Sequence, residues 1–96
     1  MNLIEAQAPF RRGRILLVLA GSNDAGCNAP LVRTMVRQMG YKIDEDTLAI
    51  DLAWLSRHGL IVEREVAGVA MLKITPRGQD VASRDLDLPG VDFARD

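Results

Sequence analysis

The chain has 96 residues, 48% apolar and 26% charged, which allows one small globular domain and excludes a disordered or fibrous one. Twelve Lys and Arg stand against thirteen Asp and Glu, so the net charge of −1 excludes a globally basic nucleic-acid binder and leaves only local basic patches. One cysteine, Cys27, excludes a disulfide framework and a multi-cysteine zinc site.

Residues 9–20 read as a first helix, with Pro9 in its first turn, where its missing N–H costs nothing. Gly13 weakens that helix by about 1 kcal/mol relative to Ala. The run Ile15 to Ala20 is apolar on every side. It is far short of the ~20 residues that span a bilayer. It also lacks the length and cleavage pattern of a secretory signal, so a soluble, cytoplasmic protein is expected. An all-apolar helix is buried all round, which in so small a domain predicts a homodimer covering one side.

Residues 21–29 read as a loop. Pro30 opens a second helix, with Val32, Met35, Val36 and Met39 on one stripe and Arg33 and Arg37 on another face. Gly40 ends it. Asp44 caps a third helix, Ile43 and Leu48 staple its start, and Leu48, Leu52 and Leu55 form its core stripe with Trp54 alongside. Gly59 ends this helix, and Leu60 closes onto Leu55.

Residues 60–66 and 69–74 are β-rich runs joined by Ala67-Gly68, a hairpin signal; Leu60, Val62, Leu72 and Ile74 are expected to face inward. Thr75 caps a short fourth helix with Pro76 in its first turn and Val81-Ala82 as its apolar part. This makes a domain over residues 1–85. Residues 86–96 form an acidic tail carrying Leu86, Leu88, Val91 and Phe93, expected to be loose or docked on a neighbour.

Helix, helix, short turn, helix, hairpin, helix is the order of a winged helix-turn-helix, a mainly α fold with a small β-hairpin. Gly40-Tyr41-Lys42-Ile43 is its turn. The segment Asp51 to Ile61, with Leu52-Ala53-Trp54-Leu55 inside it, resembles a recognition helix running into a wing. Ile74-Thr75-Pro76-Arg77-Gly78 resembles the wing exit of MarR-type and PadR-type regulators. The arrangement from Arg11 to about Val91, with its Pro89-Gly90-Val91 tail, resembles a family of small proteins of Mu-like phages and prophages, often labelled ArsR-like or DNA-binding. That resemblance implies a winged helix and a phage origin, and no ligand.

The chemistry for DNA is divided. Positions 45, 46, 49, 50 and 53 of the third helix would face a major groove, and they hold Glu45, Asp46, Ala49, Ile50 and Ala53. None of these is a base-reading cation or amide. Four carboxylates and no cation lie between Ile43 and Asp51, so phosphates would repel this helix. Thr47 is the one candidate base contact. Against this, Phe10 to Lys42 holds six cations and the single carboxylate of Asp24. Arg11, Arg12, Arg14, Arg33, Arg37 and Lys42, with Arg64 near the wing tip, are the candidate phosphate contacts.

Two functions follow. One is a DNA-binding transcription regulator, homodimeric and held mainly by phosphates. The other is a protein-interaction module serving phage assembly or packaging, with Glu45, Asp46, Ala49, Ile50 and Ala53 against a phage or host protein. Lone Cys27, lone His58 at a helix end, the capping carboxylates Asp44 to Asp46, and Trp54 beside the core stripe all read as structural. No enzyme activity, cofactor or metal site is expected.

Overall fold

The computed structural model describes residues 2–93. In order they form α1 (Leu3–Ala20), β1 (Cys27–Asn28), α2 (Ala29–Gln38), α3 (Glu45–Arg57), β2 (Ile61–Val66), β3 (Val69–Ile74) and α4 (Pro76–Ala82). The strands make an antiparallel sheet in the order β1-β3-β2. The fold is the winged helix-turn-helix: α2 and α3 are the motif and the β2–β3 hairpin is the wing.

The third helix follows its sequence signals closely. The Asp44 carboxylate accepts from the Thr47 N–H at 2.7 Å, and Ile43 and Leu48 are both buried at its start. At its end Leu60 N–H donates to the Leu55 carbonyl and Gly59 N–H to that of Ser56, each at 3.0 Å. This is the paired closure in which the residue after the cap must be left-handed, and Gly59 has φ +73°. Thr75 likewise caps α4, its Oγ1 accepting from Gly78 N–H at 3.0 Å.

The first helix starts at Leu3 rather than at Pro9, and Pro9 lies inside it. Asn2 is the cap, accepting from Glu5 N–H at 2.9 Å. The Arg11 guanidinium steadies this early turn by donating to the Ile4 carbonyl. Cys27 and Asn28, expected within a loop, form a short third strand against Leu72 and Met71.

The hairpin turns at Ala67-Gly68 with both residues at positive φ, +51° and +82°. This is the backbone of a primed two-residue turn. It pairs Val66 with Val69 and therefore Ile61 with Ile74 and Glu63 with Leu72. Ile61, Glu63, Ala70, Leu72 and Ile74 consequently share the inner face. The inward set is corrected on one point: Ile61 is buried and Val62, 54% exposed, points away.

The apolar core runs through Ile15, Leu16, Val32, Val36, Leu55, Leu60, Leu72 and Val81. One ion pair is sealed inside it. Arg11 Nε donates to Asp51 Oδ2 at 2.7 Å and Nη2 to Oδ1 at 3.2 Å, joining α1 to α3. Arg11 is 3% exposed and Asp51 0%.

The tail is docked on its own chain, against the expectation that it is loose or held by a neighbour. Val91 is buried and Leu86, Leu88 and Phe93 pack against the core. Asp92 N–H donates to the Pro9 carbonyl at 3.1 Å, and Arg12 donates to the Gly90 carbonyl at 2.9 Å. This crossing explains Gly13: a Cβ there would lie 2.1 Å from the Asp92 carbonyl oxygen. The last three residues of the expected tail lie outside the described residues.

Both grounds for expecting a dimer are therefore met within one chain. Ile15, Leu16, Val18 and Leu19 are covered by the monomer's own core, and the tail has found a seat. Among the described residues no helix is long and apolar enough to cross a membrane.

Candidate functional site

The structure divides the seven candidate phosphate contacts into three groups. Of the α1 arginines, Arg11 and Arg12 are used inward. Arg11 is locked to Asp51 in the core, so its assignment to phosphate is corrected: a guanidinium sealed in that pair has no path to a ligand. Arg12 lies 4.4 Å over the Trp54 ring, bonds Gly90, and has Nε 3.8 Å from Asp51. Burial lowers its pKa from the ordinary arginine value; Asp51 opposes this, while Arg11 and Arg57 add to it. Arg14 is half-buried, with its Nε out of contact with water.

The second group gathers at the helix-turn-helix turn. Arg33 and Arg37 of α2 stand one turn apart, and Lys42 follows from the turn itself. With Thr47 and Tyr41 they line an open cleft of about 560 Å³ beside the start of α3. Arg37 and Lys42 are exposed; Arg33 is half-buried and reaches the Ile43 carbonyl at 3.5 Å. The carboxylate at this cleft is Asp44, engaged in its cap. The Thr47 backbone N–H, and after it the Thr47 side chain, hold the Asp44 pKa below its ordinary 3.8. Thr47 is thus placed beside the cations, with its N–H already used.

The third group is Arg64. It lies on the outer face of the wing with Lys73, lining a separate cleft with Asp24, Val62 and Met71. Arg64 and Lys73 thus line a cleft that shares no residue with the one at the turn.

The outward side of α3 is as acidic and apolar as its sequence. Glu45, Asp46, Ala49, Ile50 and Ala53 are all exposed, Ile50 to 66%. Between α3 and the wing runs a trough of about 560 Å³ with Leu48 and Leu52 in its floor, Ala49, Ala53 and Ala70 in its walls, and Glu45 and Glu63 at its edges. Glu63 and Ala70 were missed in the sequence. The signal for them was the pairing forced by a two-residue turn, which places both on the face toward α3.

The remaining candidates are used structurally. The His58 ring stacks on Trp54 at 3.8 Å, with Nδ1 2.7 Å from the Trp54 carbonyl. Cys27 is buried on β1.

No protein-family model matches the sequence, and no curated protein matches it. Among solved structures the chain is similar to SSV1 F-93, with a TM-score of 0.65 and 19% identity over 78% of this chain and 80% of that one. At that identity the likeness speaks for the fold alone.

Proposed function

We propose that the protein binds DNA through its winged helix and holds it by phosphates, without reading bases through α3. The observation that carries this is the convergence of Arg33, Arg37 and Lys42 with Thr47 on one open cleft at the helix-turn-helix turn. Cations on short, rigid elements there can bridge phosphate oxygens, whereas the outward side of α3 offers no donor for a base edge. A role in phage transcription regulation rests on the resemblance to Mu-like phage proteins. A binding protein rather than an enzyme is supported by the use of Asp44 as a cap, Asp51 in the core pair and His58 in the Trp54 stack. A homodimer, if formed, has its support in the exposed apolar start of α1, where Leu3 is 58% exposed, and not in the run Ile15 to Ala20.

The test is anisotropy of labelled mixed-sequence duplexes across a salt series. Affinity should fall steeply with salt and vary little with sequence, because released counterions drive such binding. Arg37→Ala with Lys42→Ala should weaken every duplex alike and flatten the salt slope by about two. Glu45→Gln with Asp46→Gln should strengthen binding by removing repulsion. Strong preference for one sequence, or no binding at low salt, contradicts the reading.

A further inference from the structure

The trough between α3 and the wing is chemically unlike the cleft at the turn. Its floor is Leu48 and Leu52, and its walls are alanines short enough to leave room for side chains from outside. A second hollow of about 310 Å³, sharing Ala29, Glu45, Leu48 and Ala70, continues it toward the hairpin tip at Gly68 and Val69, where Arg33 of the turn cleft forms part of its wall. Glu45 closes the trough from the helix and Glu63 from the sheet. Among the described residues neither has a cation within ion-pair distance; both ion pairs found there use Asp51. The trough proper is lined by Glu45 and Glu63 and by no cation; an apolar bed between two carboxylates repels a phosphate backbone and attracts an apolar group flanked by positive charge. Small walls opposite a hydrophobic floor also give the anchor pocket on which protein recognition depends.

We infer that this trough is a docking site for a protein segment presenting apolar side chains flanked by Lys or Arg. The inference does not rest on DNA binding, which uses the cleft at the turn. One face of the molecule then takes phosphate and the adjoining one takes a basic partner, so that a partner could be held beside DNA.

Three synthetic peptides of one length and pattern test it: Leu/Lys, Leu/Ser and Leu/Glu, each titrated into the isotope-labelled full chain. The Leu/Lys peptide should bind at least about tenfold more tightly than Leu/Ser, with Leu/Glu weaker still. Amide shifts should centre on Ala49, Ala53 and Ala70. Ala53→Trp fills the trough from an exposed position, so the fold and melting temperature should persist while Leu/Lys affinity drops at least about tenfold. Glu45→Gln with Glu63→Lys should lower it about tenfold, although the Glu45 change raises DNA affinity. Loss with the charge variant but none with Ala53→Trp would mean attraction without a pocket and overturns the proposal. So does Leu/Ser binding as tightly as Leu/Lys, shifts centred on Arg37 and Lys42, or duplex DNA shifting Ala49, Ala53 and Ala70.

Discussion

Arg11 and Asp51 place a full guanidinium–carboxylate pair where neither member can be left alone. Asp51→Asn should cost about 3–5 kcal/mol, because it leaves Arg11 charged and buried without its partner. In a domain whose whole stability is about 5–15 kcal/mol, urea unfolding resolves that loss easily. Arg11→Met with Asp51→Leu should recover most of it, since an apolar pair of similar volume removes the desolvation cost. The pair was legible in one respect. Arg11 falls four before Ile15, and Asp51 falls between Leu48 and Leu55, so both charges sit on apolar stripes. Their opposite signs on two helices were the clue, but arginine is so often solvated that the cluster with Arg12 and Arg14 read as a phosphate grip. Asp44 adds a pH dependence. Its folded pKa is depressed, so its contribution to stability is complete above the ordinary 3.8 and is lost as pH falls through the folded value. Asp44→Asn should keep the cap and remove that acid sensitivity from α3 helicity, followed by circular dichroism. At the wing tip, Ala67 sits at φ +51°. Asn, which tolerates that region, should raise stability by about 1 kcal/mol in thermal melts.

The elements show why some were legible and others were not. The third helix carries its signals at both ends, from the Ile43–Leu48 staple to the Gly59-Leu60 closure, and its bounds follow. The two residues of β1 have no period to read, and they exist only because β3 offers them an edge. At the entry to β2, Leu60, Ile61 and Val62 are consecutive apolar residues, so alternation alone cannot choose the inner set. Pairing Val66 with Val69 chooses it, because Val62 then faces Lys73 and cannot share a side with Leu72. The tail was expected to be loose or docked on a neighbour because its seat combines the α1 backbone at Pro9 and Gly13 with the Arg12 side chain and the core, a juxtaposition with no sequence signature. Gly13→Ala should therefore destabilise the protein although Ala favours helix, since its Cβ meets the Asp92 carbonyl. The loss should largely vanish in a chain ending before Pro89, a non-additivity that a double-mutant cycle measures.

For the whole molecule, a net charge of −1 hides a sorting of charge by surface. Arg33, Arg37 and Lys42 collect at the turn, Glu45, Asp46 and Glu63 lie along the start of α3 and the inner wing, and Arg11 and Arg12 are spent on the core and tail. A helix-turn-helix arranged this way should hold DNA from beside the groove and leave α3 unburied by it. Amide shift mapping of the labelled protein with a mixed-sequence duplex at low salt tests this most directly. The account predicts shifts concentrated at Arg33, Arg37, Lys42 and Thr47, fading as salt is added, with Ala49, Ile50 and Ala53 little changed. Shifts centred on Ala49, Ile50 and Ala53, or none at all at low salt, would contradict it.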